Sequence, residues 1–262
     1  MARLRPVLAL GPLVLLTLAL MPVQWLAIRF DWRIGHRLPM VFHRAACRAL
    51  GVRVAVRGRP APDRPLLITA NHVSWIDIVV LGSLMPLSFI AKSEVADWPL
   101  FGLLAKLQRT VFVDRQRRTQ TRDQAAAIAE RLADGDAMVL FAEGTTGDGN
   151  QILPFRSALL GAARAAVDAG GHSHVLVQPV AIAYTRLHGL PMGRLGRAHV
   201  SWIGDQDLPP HLMAIVREGA VDAVVSFGDP IPFDRDGDRK RVTAAAEAAV
   251  RTLLSEALRR GG

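Results

Sequence analysis

Cysteine is almost missing from this chain: Cys47 is the only one among 262 residues. A single thiol excludes an intramolecular disulfide framework and any metal site built from several cysteines. It also agrees with a reducing compartment around the bulk of the chain. A Gly-x-Ser-x-Gly elbow is missing too, which removes the serine hydrolases that present their nucleophile on such a turn. His172-x-His174 has no third ligand at a characteristic spacing. Asp234-x-Asp236-Gly-Asp238 lacks the glutamate that closes a calcium loop. The expectation is a protein without a metal site. No internal repeat and no long linker divides it. Charge is absent from Val7 to Ile28, a run of about 22 residues and so long enough to cross a bilayer as a helix.

What is present is basic and apolar. The chain has 32 Lys and Arg against 23 Asp and Glu, a formal charge of +9, and 50% hydrophobic residues. A basic surface seeks anionic partners, either nucleic acid or a membrane. The apolar N-terminus favours the membrane and argues against nucleic acid. Arg3 and Arg5 precede the uncharged run while Arg29 and Arg33 follow it, so the distribution of positive charge gives no clear orientation. A secretory signal would need a small-x-small cleavage site, and none stands out around Met21–Ala27. Gly11-Pro12 and Pro22 would interrupt a spanning helix. These features favour a hairpin or shallow helix embedded in one leaflet, with both flanks on the cytoplasmic side. Over Trp32 to Leu50, Arg33, Arg37, Arg44 and Arg48 recur at spacings that share one helical face, with Pro39 as a break. Such a face suits an anionic membrane surface. Two parts are expected: an N-terminal membrane-anchoring helical segment over 1–50 and a catalytic domain over 51–262.

The second part alternates strands with helices. Val52–Arg57, Leu66–Ala70, Leu87–Ala91, Thr110–Val113, Ala137–Phe141, Val175–Tyr184 and Ala223–Phe227 read as strands, several of them apolar on both faces. Helices are expected over 95–107, 121–132, 157–169 and 243–259. Alternation of this kind gives an α/β fold whose mainly parallel central sheet is covered by helices.

Chemistry concentrates at Ala70-Asn71-His72-Val73-Ser74-Trp75-Ile76-Asp77. Ser74 and Asp77 are spaced as an N-cap pair ahead of Ile78-Val79-Val80-Leu81. His72 then falls in the turn beyond a strand end, where open α/β sheets place their ligands. An imidazole there can act as a general base with Asp77 as its orienter. A plain turn histidine and a capping carboxylate near a helix N-terminus are the alternatives.

Four blocks in order resemble those of the glycerolipid acyltransferases, the family that includes the 1-acylglycerol-3-phosphate O-acyltransferases. His72-x-x-x-x-Asp77 is similar to the family's HxxxxD motif, Val111-Phe112-Val113-Asp114-Arg115 to its apolar-Asp-Arg block, Phe141-Ala142-Glu143-Gly144-Thr145-Thr146 to its Phe-Pro-Glu-Gly-Thr-Arg block, and Val177-Gln178-Pro179-Val180 to the block ending in Pro-Val. Lys92 falls where the family often carries a site lysine. The resemblance spans roughly residues 66–184. It implies that His72 deprotonates an acceptor hydroxyl, that Asp77 holds the imidazole, and that Lys92, Arg115, Glu143, Gly144, Thr145 and Thr146 bind substrate. It also implies a fatty acyl thioester of acyl carrier protein or coenzyme A as donor, a membrane lysolipid as acceptor, no bound cofactor, and a place on the cytoplasmic face of the inner membrane. A non-catalytic lipid-binding protein of the same fold is the alternative.

Two positions depart from the family pattern. Ala142 replaces a proline, which softens a turn. Thr146 replaces an arginine and so removes a cation from a place where a phosphate would be read bidentately. Together with Leu153-Pro154-Phe155-Arg156, the Glu143-Gly144-Thr145-Thr146-x-Asp148-Gly149 stretch resembles the lyso-ornithine lipid acyltransferase subgroup, whose acceptor head group is an amino acid.

Overall fold

The computed structural model describes residues 5–113, 121–161, 163, 167 and 173–261. Its centre is a nine-stranded mixed sheet with the order β1 (Val52–Arg57), β8 (Val221–Phe227), β6 (His174–Leu187), β2 (Leu66–Ala70), β5 (Ala137–Phe141), β3 (Ser88–Lys92) and β4 (Val111–Val113). Two short strands, β7 (Leu190–Pro191) and β9 (Ile231–Asp234), pair with β6. The run β6-β2-β5-β3-β4 is parallel throughout, as the apolar runs predict. β7, β8 and β9 pair antiparallel with β6, and β1 runs parallel to β8.

β2 is the middle of this arrangement and every one of its residues is buried. Leu66, Ile68 and Ala70 face one core and Leu67 faces the other, the period-two alternation of a strand covered on both sides. Burying each of the larger side chains contributes roughly 1.5–3 kcal/mol. The first core is roofed by α2 (Leu38–Leu50), α3 (Ile76–Gly82) and α6 (Leu208–Glu218). The other face carries α5 (Thr121–Ala133) through Ile128, Ala129 and Leu132, and α7 (Arg239–Gly261) through Ala246, Val250, Leu254 and Ala257.

Several local expectations are corrected. Pro12 and Pro22 do not interrupt the N-terminal helix: α1 runs unbroken from Arg5 to Arg29. Each proline removes a single N–H donor, and the rest of the ladder carries the helix past it. No hairpin forms. Pro39 does not break α2 but starts it, at a position where a missing N–H costs nothing. Pro99 does end the expected helix over 95–107, leaving a 3-10 turn at Ser93–Asp97 and, after Leu100 at φ +62°, the short α4 (Phe101–Leu107). The four arginines do not all belong to one helix. Arg33 belongs to a separate 3-10 turn at Arg33–His36, and Arg44, though exposed, commits its Nε–H to Ser83 O at 2.9 Å. Of the helix expected over 157–169, Ser157–Leu160 is a 3-10 turn and much of the remainder lies outside the described residues.

Helix α1 is long and apolar enough to cross a membrane, yet both of its ends are tied to the domain. Arg5 Nη1 donates to the carbonyls of Arg217 and Glu218 at the C-terminus of α6. At the other end, Gln24 Nε2 donates to Gly35 O at 2.9 Å and Leu107 O at 2.7 Å. Between these ties Leu8, Leu15 and Leu18 are exposed, as is Trp25 just beyond.

Candidate active site

Parallel pairing sets the C-terminal ends of β2 and β5 side by side against the middle of β6: Ala70 is in register with Phe141 on one side and with Val180 on the other. The first and third sequence blocks therefore emerge at one sheet edge, with the fourth inside β6 beside them. The side chain of Asn71 extends that edge, its Nδ2 donating to Ile182 O at 3.0 Å and its Oδ1 accepting from Ile182 N at 2.8 Å. With the strand end fixed in this way, the next residue, His72, begins the turn into α3.

His72 Nδ1 lies 2.8 Å from Asp77 Oδ2. An ionised carboxylate only accepts, so the proton sits on Nδ1 and Nε2 is left with its lone pair. The ring stacks on Phe141 with centroids 3.9 Å apart and planes 12° apart, and Phe89 stacks behind Phe141. Imidazole orientation is thus set from two directions. The His72 side chain keeps 18% exposure while Asp77 has none.

A carboxylate that deeply buried must replace its lost water. Asp77 Oδ2 accepts from Val73 N at 2.6 Å and Ser74 N at 2.9 Å in addition to His72, and Oδ1 accepts from the Tyr184 hydroxyl at 2.7 Å. Ser74 is therefore not the expected N-cap. The helix starts after Trp75, the Ser74 Oγ has no hydrogen-bond partner, and only the return half of the capping box forms, from Asp77 to the backbone. Tyr184 is the residue that sequence reasoning missed. Val180, Ile182 and Tyr184 share the β6 face that looks at α3, and a tyrosine on such a face needs a partner for its hydroxyl. Burial, reinforced by the Asp77 charge, pushes the Tyr184 phenol well above its ordinary range, so it stays a donor.

The other expected site residues are less uniformly placed. Glu143, expected to line the acceptor site, is instead 3% exposed and holds two loops together: Oε1 accepts from Leu153 N at 3.2 Å and Oε2 from His72 N at 3.4 Å. Gly144 turns the chain at φ +75°, a conformation that favours glycine, and its N–H is committed to Phe141 O at 3.1 Å rather than facing an oxyanion. Thr145 is exposed. The Thr146 hydroxyl donates to Trp202 O, on a loop whose Trp202 N donates back to Val73 O at 2.9 Å. Lys92 ends β3 at the same sheet edge and is exposed. Arg115 lies outside the described residues, as does His172. Among the described residues no cluster of three His, Cys, Asp or Glu is placed to hold a metal ion.

An α/β sheet with a carboxylate-held imidazole at the carboxyl ends of its parallel strands defines the class of site. Comparison with known proteins gives the family. Residues 53–183 match the family model described as Acyltransferase. The chain is 52% identical over 255 residues to a lyso-ornithine lipid O-acyltransferase of Brucella abortus, covering 97% of this chain and 96% of the relative. It is 32% identical over 223 residues to a 1-acyl-sn-glycerol-3-phosphate acyltransferase of Neisseria gonorrhoeae, covering 84% and 82%. The crystal structure of the 1-acyl-sn-glycerophosphate acyltransferase of Thermotoga maritima has the same fold, with a TM-score of 0.64, 20% identity, and coverage of 98% of this chain and 97% of that one. This chain belongs to the acyltransferase family.

Glu143 makes the site pH-sensitive. Burial raises its carboxyl to about 8, against the lowering effect of the Leu153 and His72 N–H groups, and the nearby charges of Asp77 and Asp148 add to the rise. A carboxyl raised in the folded state stabilises that state fully below its unfolded value of 4.5, and the contribution is lost as pH rises through about 8. The unfolding free energy is therefore expected to fall with pH across this window. Glu143→Gln, which cannot ionise, should flatten the fall in denaturant titrations taken at a series of pH values. An unchanged slope in the variant would contradict this assignment.

Proposed function

We propose that this acyltransferase moves a fatty acyl group from an acyl thioester to the hydroxyl of a lysolipid, with His72 as general base. The observation that carries the proposal is the 2.8 Å contact between His72 Nδ1 and Asp77 Oδ2, which leaves Nε2 as the free basic nitrogen. In the reaction, Nε2 takes the proton of the acceptor hydroxyl as its oxygen attacks the thioester carbonyl. Asp77 stabilises the imidazolium that forms. Collapse of the tetrahedral intermediate breaks the carbon–sulfur bond, and the departing thiolate takes the proton from Nε2. The products are an ester and a free thiol, so electrons and protons balance without a metal or an acyl-enzyme. Acyl carrier protein and coenzyme A both supply such a thioester.

Lyso-ornithine lipid is the acceptor we infer. The 52% identity to an enzyme named for that acceptor supports it. So does Thr146, which puts a hydroxyl already used by Trp202 O where a phosphate-reading cation would stand.

The enzyme is membrane-associated through α1, and we infer that this helix lies along the cytoplasmic surface of the inner membrane rather than across it. Ties from Arg5 to α6 and from Gln24 to α4 bring both of its ends to the same domain, which a crossing helix about 37 Å long would prevent. Exposed Arg33, Arg37 and Arg48 lie beside the apolar run and suit anionic lipid.

Two outcomes are expected. His72→Ala should lower kcat for acyl transfer to lysolipid by about 10²–10⁴-fold while the protein stays folded; near wild-type turnover would refute the base assignment. Tags at the N- and C-termini should both be cleaved by protease added to inside-out membrane vesicles and both be protected in right-side-out ones. Cleavage of the two tags from opposite sides would mean that α1 spans.

A further inference from the structure

Beside His72 lies a group of charges that the acyl-transfer chemistry does not use. The loop following Thr146 is pressed onto the His72 turn: Gly147 N donates to His72 O at 2.8 Å, and a Cβ at Gly149, which sits at φ +73°, would come within 3.1 Å of Val73 Cγ1. Asp148 is held between these two glycines. Its Oδ1 accepts from Asn150 N at 2.9 Å and its Oδ2 from Asn150 Nδ2 at 3.0 Å, and the Gln151 N–H donates to it as well, which still leaves a lone pair on a half-exposed carboxylate.

The partner charge is unusual for being buried. Arg197 is only 8% exposed, and its Nε donates to Asn150 Oδ1 at 2.8 Å. No described residue accepts from its two terminal nitrogens. A guanidinium on a buried stem, with its fork unfilled and open to solvent, is a site for a planar anion such as a carboxylate. Asp148 and Arg194 are the charges that act on it, one of each sign. Asn150 thus bridges a carboxylate and a guanidinium on the loop that touches the catalytic histidine.

We propose that Asp148 and Arg197 form the head-group subsite and read a zwitterionic amino-acid head group, Arg197 taking its carboxylate and Asp148 its ammonium. This rests on the lyso-ornithine reading of the acceptor. An ornithine whose α-nitrogen is locked in an amide keeps two charges, a carboxylate and a side-chain ammonium. The subsite offers one charge of the opposite sign for each. A phosphate dianion could use the guanidinium, but Asp148 would stand beside it as a like charge. Asp148 is what gives the loop its preference for the zwitterion, against the pull of Arg197 and Arg194 on a dianion.

The test uses the full-length enzyme, one acyl thioester donor, and four acceptors: N-(3-hydroxyacyl)ornithine, its norvaline counterpart lacking the ammonium, its ornithinamide counterpart lacking the carboxylate, and lysophosphatidate. Wild-type kcat/KM should fall about tenfold on loss of either charge, mostly through KM. Asp148→Asn keeps an oxygen to accept from Asn150. It should abolish the ornithine–norvaline difference while leaving the ornithine–ornithinamide difference in place. Arg197→Gln should do the reverse; if that variant does not fold, Arg197→Lys, which keeps the charge but not the fork, should narrow the ornithine–ornithinamide difference, and an unchanged difference would overturn the Arg197 assignment. Equal use of all three amino-acid acceptors by the wild type would overturn the subsite, as would a norvaline penalty that persists in Asp148→Asn. Turnover of lysophosphatidate with none of any amino-acid acceptor would overturn the acceptor reading itself, and the subsite with it.

Discussion

The site depends on one buried negative charge. Asp77 has no exposure, and its two oxygens collect hydrogen bonds from His72, from the Val73 and Ser74 amides, and from Tyr184. Removing a carboxylate from water is costly unless such donors replace the lost solvation. Here the same donors also fix geometry. The two amides fold the His72 turn around the carboxylate, the imidazole is drawn onto it, and Tyr184 anchors it to β6 from the far side. One interaction set therefore starts α3, shapes the turn and selects the histidine tautomer.

The sheet makes that set possible by bringing distant segments to one edge. Ala70, Phe141 and Val180 lie in register across three parallel strands, so the turns after β2 and β5 open at the same level. Phe141 then stacks on the His72 ring, and Glu143 ties the two turns through the His72 amide. Because Glu143 is buried between them with a raised pKa, it serves the site as a neutral strut rather than as a second charge competing with Asp77.

Much of this was legible in the sequence, and the rest was not, for identifiable reasons. The strands β2 and β5 are continuous apolar runs, so their existence and parallel burial follow from pattern alone. The pairing of His72 with Asp77 follows from a short local spacing. Tyr184, by contrast, meets Asp77 only through the register of β6 against β2, and residue spacing carries no information about register between strands so far apart. The prolines misled because the effect of each depends on context: at the start of α2 the missing N–H has no partner to lose, whereas inside α1 one lost bond does not stop a helix of 25 residues. The helix α6 and the strand β9 went unrecognised because each is short and carries a proline, Pro209 and Pro210 in the first turn of α6 and Pro232 within β9. The arginines of α2 were placed by helical period, which cannot reveal that Arg44 finds a carbonyl at the end of α3.

The central claim is that Asp77 works by holding His72 in one tautomer, with Nε2 free to accept a proton. Steady-state kinetics of Asp77→Asn test it most directly, since the amide keeps the size of the side chain but can donate to the imidazole as well as accept. The account predicts that kcat for acyl transfer falls by about 100-fold or more, while KM for the lysolipid changes by no more than about threefold. Wild-type kcat in a folded Asp77→Asn enzyme would contradict it.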